Sequence, residues 1–186
     1  KKMMLRPSNA GDTFETEEVD LNYMIDLALT RVCENPYATL WDPFVAPGSH
    51  SQEYIARNAN VAVSGLEYDT ATSLDIQRHV DCIVTNPPFS KKAEILEKLI
   101  FDWEVPFVMI LPTAALQRNY MQRFLSVGEW QIFIPHRFLR FHVGGQRCHS
   151  PPFPSAFFAW KPYCYHTLRI FYRHHRSSLT EDPTDT

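Results

Sequence analysis

The amino-acid sequence predicts an α/β domain in which a mostly parallel sheet is closed by antiparallel strands. Helical patterns alternate with short apolar strands from residue 19 to residue 127, as in a parallel sheet. The run 105–111 is apolar throughout, as expected for a strand buried on both faces. Closely spaced strand candidates follow residue 130, and we expect them to pair antiparallel. The 186 residues suit one domain, assigned to residues 1–175, with a disordered tail expected over 176–186.

The first half of the chain is expected to contain two helices and two strands. Apolar residues recur at helical spacing from residue 21, and Asn35-Pro36 ends that helix. Ser49 and Gln52 form a capping-box pattern that begins the second helix. The predicted elements are a helix over 19–33, a strand over 38–41, a helix over 49–57 and a strand over 61–66.

The second half is expected to contain two strands that alternate with two helices, followed by a run of four strands. Thr113 is the expected N-cap of the second of these helices. Residues 144–154 are expected to form a long loop without regular structure, and such loops often carry function. The predicted elements are strands over 83–85, 105–111, 131–134, 138–143, 155–160 and 168–172, and helices over 91–103 and 113–127.

The strand over 83–85 stops abruptly at Asn86-Pro87-Pro88-Phe89. Neither proline has an N–H to donate to a sheet, so a stiff loop is expected at the carboxyl end of the strand. Ligands bind at that edge of open α/β sheets. The Asn86 amide oxygen and the Pro87 carbonyl could each accept one N–H of an exocyclic amine, with Phe89 stacked on the attached planar base. The alternative is an ordinary Asn-Pro turn after a core strand.

A second loop of small residues, Asp-Pro-Phe-Val-Ala-Pro-Gly-Ser over 42–49, joins a strand to a helix. A loop of this kind lets the backbone approach a ligand closely. At the end of the next strand, an acidic side chain could accept both ribose hydroxyls of a nucleoside cofactor. We prefer Glu67 for this role, with Asp69 as its competitor. The alternatives are a solvated carboxylate and a helix N-terminus without a ligand.

The formal net charge of −3 hides a strong asymmetry. Residues 1–110 carry nine Lys/Arg against seventeen Asp/Glu, whereas residues 111–176 carry nine against a single Glu. Arginines interleaved with aromatic residues favour a polyanion partner such as nucleic acid over a merely solvated basic face. The residues expected to hold phosphates are Lys91, Arg137, Arg140 and Arg147, with His149 as a lesser helper to Arg147.

Four scattered cysteines without zinc-ligand spacing predict reduced thiols and no metal site. The alternative is a metal ion held by the Cys and His residues of the second half: Cys148, His149, Cys164, His166, His174 and His175. Cys82 lies in an apolar strand and is expected in the core. The sequence contains no apolar stretch long enough for a membrane span, and its N-terminus lacks the apolar region of a signal peptide. An intracellular location is therefore expected, cytoplasmic or nuclear, or that of a virus-encoded protein, and not a secreted one.

The order of these motifs resembles the S-adenosylmethionine-dependent N6-adenine methyltransferases that carry Asn-Pro-Pro-Phe, of the phage- and virus-associated type. The resemblance extends to Phe-Glu-Thr near the N-terminus, to His-Arg-Phe-Leu-Arg-Phe and to Ser-Pro-Pro-Phe-Pro-Ser-Ala-Phe-Phe-Ala-Trp. It implies a Rossmann-like methyltransferase domain with catalysis at Asn86, Pro87, Pro88 and Phe89. It also implies S-adenosylmethionine binding at Phe14, Thr16, Asp42, Pro43, Phe44, Gly48, Glu67, Asp69 and Asp75.

The substrate implied is adenine in nucleic acid, and the resemblance favours DNA over RNA. Related motifs also serve adenine or guanine in RNA and glutamine amides in proteins. Only one of the two glycines usual in the cofactor loop is present, so an inactive methyltransferase-fold scaffold within a complex is a further alternative. A separate domain for target recognition does not fit within 186 residues. Readout of the target sequence is therefore expected to be minimal, or to be supplied by a protein partner or a further segment.

Overall fold

A computed structural model describes residues 14–44, 61–62, 73–143, 146–148, 153–161 and 167–172. The elements of its first half are β1 (Glu15–Thr16), α1 (Glu18–Leu27), β2 (Thr39–Trp41), β3 (Val61–Ala62), α2 (Ser73–His79) and β4 (Cys82–Thr85). Those of its second half are α3 (Lys92–Glu97), β5 (Phe107–Pro112), α4 (Asn119–Leu125), β6 (Glu129–Ile134), β7 (Phe141–Val143), β8 (Gln146–Arg147), β9 (Ser155–Lys161) and β10 (Thr167–Tyr172). Wider helical turns continue α1 over Ala28–Val32 and α3 over Lys98–Trp103.

The central sheet has the strand order β10-β6-β9-β5-β4-β2-β3 among the described strands. The pairs from β3 through β2 and β4 to β5 are parallel, and β9 runs antiparallel between β5 and β6. This confirms the predicted α/β class and mostly parallel sheet. The expectation of antiparallel closing strands is wrong for β10, which pairs parallel with β6.

Strand order reverses at β2, because β3 lies on one side of it and β4 on the other. In open α/β sheets, a crevice forms at the carboxyl ends of the strands where the order reverses. Asp42 follows β2 directly and Asn86 follows β4 directly. The topology therefore brings the two predicted loops to the same edge of the sheet.

The core consists of one apolar cluster on each face of this sheet. Four tryptophans are at most 1% exposed and dominate one cluster: Trp41, Trp103, Trp130 and Trp160. Trp41 stacks on Trp103, and Trp160 stacks on Phe107. The other cluster packs α1 against the opposite face of the strands. Burial on both faces explains why β4, β5 and β9 are apolar almost throughout.

A second, three-stranded sheet has the order β1-β7-β8 and is antiparallel. Two predictions for residues 138–154 are therefore wrong. The strand predicted over 138–143 begins only at Phe141, and the loop predicted over 144–154 contains β8. Arg147 therefore lies opposite His142 in a strand pair and not in a structureless loop.

The helix predicted over 113–127 is wrong as a single helix. Thr113–Gln117 forms a tight turn, Arg118 is extended, and α4 starts afresh at Asn119. Thr113 does not cap a helix; its hydroxyl donates to the carbonyl of Pro154 at 3.3 Å. The chain changes direction at Arg118. As a result, Ala115 before the break and Met121 after it pack in the same core cluster.

Most of the other predicted strands are present in the structure, because their apolar patterns are clear. The predicted strands that became β2, β4, β5, β6, β9 and β10 differ from the structure by one or two residues at their ends. Helix α2 was not predicted. The helix over 49–57 and most of the strand over 61–66 lie outside the described residues. Within the described ranges, no helix is long and apolar enough to cross a membrane.

Candidate functional site

A buried hydrogen bond joins the two loops that follow β2 and β4. The Thr85 hydroxyl donates to Asp42 Oδ1 at 2.6 Å, and the Phe44 N–H donates to the same oxygen at 3.1 Å. Asp42 is 6% exposed and Thr85 is 1% exposed. Hydrogen bonds to a buried carboxylate are strong, so the start of the 42–49 loop is fixed relative to the Asn86 loop. Sequence reasoning missed Thr85, although a polar residue at the end of an apolar strand was the available signal.

Asn86 has one end of its carboxamide bonded and the other end without a partner. Its Nδ2 donates to the carbonyl oxygen of Phe14 at 2.6 Å. Its Oδ1 is buried and has no hydrogen-bond partner within the part of the chain that the structure describes. A buried acceptor without a partner costs free energy, and such atoms in native folds call for an explanation. An N–H donor on a ligand would satisfy this oxygen.

Phe89 lies in a cluster of aromatic rings beside Asn86. Its ring centroid is 5.0 Å from that of Phe153 and 6.1 Å from that of Phe14, and Phe14 packs edge-on against Phe141 at 5.6 Å. Phe89 is 8% exposed, and the Lys92 ammonium donates to its carbonyl at 2.6 Å. The Asn86 loop is therefore bordered by packed aromatic rings. The role of Lys92 was missed, because nothing in the sequence distinguishes it from Lys91.

The segment around Phe14 is held over this edge by the small sheet. Glu15 and Thr16 pair with His142 and Phe141, and the Glu17 N–H donates to the Arg140 carbonyl at 3.1 Å. The Thr16 hydroxyl is buried and has no hydrogen-bond partner among the described residues. Phe14 and Thr16, predicted from three residues of sequence, thus come together with the Asn86 loop.

Arg137 and Arg140 have carboxylate partners within the chain. Arg137 donates to both oxygens of Asp20, at 3.0 and 3.2 Å, and the Arg140 N–H donates to Asp20 Oδ2 at 3.1 Å. Asp20 is fully buried, whereas the Arg137 side chain is 25% exposed. The Arg140 guanidinium lies 3.7 Å from Glu17. The geometry gives Arg137 a structural role; phosphate binding by either arginine stays a prediction.

We expect Arg137→Ala to lower the free energy of unfolding by about 1.5–3 kcal/mol, because it leaves the buried Asp20 carboxylate with fewer donors. Arg140→Ala is the matched control, since its backbone N–H remains and its exposed ion pair contributes at most about 1 kcal/mol. Urea unfolding of both variants measures the difference. Equal stability of the two variants would show that the Arg137–Asp20 pair does not hold α1 in place.

The other predicted site residues differ in how much the structure describes of them. Pro87 is buried, and Pro43, Phe44, Pro88 and Lys91 are half-buried. Asp75 lies in α2 and Arg147 in β8, with only their backbones described. Gly48, Glu67, Asp69 and His149 lie outside the described residues.

Cys82 is the first residue of β4, and the Cys33 thiol lies near the same end of that strand, 3.9 Å from the Asp81 carbonyl oxygen. Burial raises the pKa of the Cys82 thiol, while a hydrogen bond with Cys82 lowers the pKa of Cys33. Cys82 is fully buried, as predicted, and both cysteines are free. The described ranges contain no group of three or more His, Cys, Asp or Glu that could hold a metal ion.

The fold is similar to that of the methyltransferase subunit of a type I restriction-modification system from Streptococcus thermophilus. The TM-score is 0.55 at 13% sequence identity, over 88% of this chain and 48% of that one. This chain thus spans about half the length of that subunit. A protein from Listeria monocytogenes, described as a class I S-adenosylmethionine-dependent methyltransferase, aligns over 85% of this chain and 65% of its own. Its TM-score is 0.46 at 12% sequence identity.

No protein-family profile matches this chain, and no curated protein matches it either. At 13% identity, the likeness to the Streptococcus subunit establishes the fold alone. The strand order and the reversal at β2 agree with it. The chain therefore has a Rossmann-like fold of the kind found in methyltransferases.

Proposed function

We propose that this chain is an S-adenosylmethionine-dependent methyltransferase that modifies N6 of adenine in nucleic acid, with DNA favoured over RNA. The observation that supports this most is the buried Asn86 Oδ1, an acceptor without a partner among the described residues, at the carboxyl edge of the sheet. The Arg-rich second half of the chain and the sequence resemblance favour nucleic acid over protein as the substrate.

Methyl transfer requires the N6 amine to be more nucleophilic than it is in free adenine. The lone pair of adenine N6 is delocalised into the ring, which makes N6 a poor nucleophile. Asn86 Oδ1 and the Pro87 carbonyl would each accept one N–H of this amine, favouring a pyramidal nitrogen and stabilising the positive charge that develops on it. The Asn86 loop and the fixed aromatic surround would hold the base in line for transfer.

Phe89 would supply the stacking surface for the target base. Its ring lies in a cluster with Phe14 and Phe153, which limits the positions available to a second planar group. In duplex DNA, the adenine would have to leave the stack, and contact with these rings would replace part of the stacking energy that it loses.

S-adenosylmethionine would bind along the 42–49 loop, with Glu67, or Asp69 in its place, on the ribose and Thr16 near the methionine end. The bound cofactor supplies an activated methyl group. The residues fit this role, because the Asp42 carboxylate is fixed by Thr85 and by the Phe44 N–H, and the buried Thr16 hydroxyl has no partner among the described residues. The remaining proposed contacts are Phe14, Pro43, Phe44, Gly48 and Asp75.

Calorimetry tests cofactor binding directly. We expect the chain to bind S-adenosylmethionine, and Glu67→Ala to weaken binding at least about tenfold, or about 1.4 kcal/mol. Asp102→Ala is the control, because Asp102 is exposed and lies just before β5, at the opposite edge of the sheet. Absence of binding by the wild-type chain, with any partner present, would refute the enzyme proposal in favour of a scaffold.

The dependence of nucleic-acid affinity on salt tests the predicted phosphate contacts. Arg137 and Arg140 face carboxylates, so we expect Arg147, helped by His149, to contribute more to affinity. Arg147→Ala should reduce the salt slope by about one unit without changing base preference. Arg31→Ala, exposed and before β2 at the far edge, should leave the slope unchanged. An unaltered slope for Arg147→Ala would mean that the basic half is a solvated surface.

A further inference from the structure

The Asn86 carboxamide is oriented by the main chain of a segment 72 residues away. Asn86 Nδ2 lies 2.6 Å from the carbonyl oxygen of Phe14. A carbonyl oxygen can only accept hydrogen bonds, so the NH2 end of the carboxamide must face it and the oxygen must face away. The reversed orientation would bring two oxygens together at that distance. The Phe14 carbonyl therefore decides which end of Asn86 is presented elsewhere.

The Phe14 carbonyl is itself a fixed feature of the fold. The next two residues pair with β7, and the Glu17 N–H is bonded to the Arg140 carbonyl. The Phe14 ring packs against Phe89 and Phe141. Backbone pairing and ring packing thus hold this carbonyl on both sides, which is what positioning another group requires.

We propose that Phe14 is a positioning residue whose main-chain carbonyl locks the Asn86 carboxamide with its oxygen toward the target. An oxygen so placed accepts N–H donors. It selects a nitrogen that carries hydrogen, such as an exocyclic amine or an amide, over a ring nitrogen or an oxygen that carries none. This specificity rests on the proposed function, whereas the Phe14–Asn86 coupling is a property of the fold alone.

A backbone ester tests the coupling. An ester in place of the amide between Phe14 and Glu15 makes the Phe14 carbonyl a weaker acceptor and leaves every side chain in place. Cys33 is a natural junction for joining a synthetic peptide of residues 1–32 to the rest of the chain. A second ester, between Glu15 and Thr16, is the matched control, because it also removes one N–H from β1 but weakens a different carbonyl.

Each ester is made both in the wild-type chain and in the Asn86→Ala variant, and the shift in the urea midpoint is measured in both backgrounds. We expect the Phe14–Glu15 ester to lower the midpoint more in the wild-type background than in the Asn86→Ala background, whereas the control ester should shift both equally. Equal shifts from the Phe14–Glu15 ester would overturn the proposal. This comparison needs no substrate, so it decides the coupling even if the proposed function fails.

The same variants then test specificity through turnover. With Asn86 present, the Phe14–Glu15 ester should lower kcat about tenfold more than the control ester does, as expected for the loss of one hydrogen bond that sets up the transition state. KM for the nucleic acid should change little. An unchanged kcat in an active protein would show that the Asn86 carboxamide finds its orientation without Phe14.

Discussion

Asn86→Ala is expected to abolish most methyl transfer while the chain still folds and binds its cofactor. The substitution removes a preorganised acceptor aimed at the amine, and the loss of one such group costs about 10²–10³ in kcat. The cost should fall on kcat because the contact strengthens as charge develops on the nitrogen. Mass spectrometry of N6-methyladenine in treated DNA and RNA measures the effect.

Asn119→Ala is the matched control, because Asn119 is an exposed asparagine at the start of α4. Its product yield should equal that of the wild type. Calorimetry with S-adenosylmethionine should give a similar affinity for Asn86→Ala and the wild type. Equal methylation by Asn86→Ala and the wild type would show that the carboxamide is not part of the reaction.

Gly128→Ala is expected to cause the largest loss of stability, about 2–4 kcal/mol. Gly128 has a φ of 70°, a left-handed conformation that costs L-residues about 1–2 kcal/mol. A Cβ at this position would also overlap the Trp160 indole nitrogen and would lie 2.5 Å from the Lys161 carbonyl oxygen. Relieving such overlap in a packed core costs a further 1–3 kcal/mol or so.

The surroundings of Gly128 leave little room to relax. The Trp160 indole donates to the Val127 carbonyl at 2.9 Å and stacks on Phe107, so the ring cannot swing away without losing both contacts. Gly128→Asn separates the cost of the left-handed backbone from the cost of the overlap. Asparagine tolerates the left-handed conformation but still introduces a Cβ. Thermal unfolding should show both variants strongly destabilised. A Gly128→Asn protein of wild-type stability would contradict the overlap argument.

The parts of the fold that the sequence predicts well are those with apolar periodicity. Strands such as β4 and β5 are buried on both faces, so their apolar runs stand out. Helix α2 was missed because its seven residues contain only two apolar side chains, Leu74 and Ile76, whose spacing of two does not form a helical stripe. In the structure Ile76 is buried and Leu74 is 61% exposed. The break at Arg118 was missed because no glycine or proline marks it. The parallel pairing of β10 depends on which strand it reaches, and spacing alone does not encode that.

In the candidate site, too, some residues were predictable from local sequence patterns and others were not. The Asn86 motif and the loop from Asp42 were recognisable because proline and small residues restrict the backbone directly. The contact of Asn86 with the Phe14 carbonyl was hidden, because any residue type supplies a carbonyl. The pairing of Arg137 with Asp20 spans 117 residues and was equally hidden. Local patterns identified groups that carry the proposed chemistry, whereas the groups that orient them required the tertiary structure.

Transfer of a labelled methyl group tests the central claim most directly. The wild-type chain and Asn86→Ala are each incubated with methyl-labelled S-adenosylmethionine and a panel of DNA, RNA and protein. The proposed function predicts label on adenine N6 in nucleic acid, more in DNA than in RNA, and almost none with Asn86→Ala. Label found only in protein, or in no acceptor when the cofactor is bound, would contradict it.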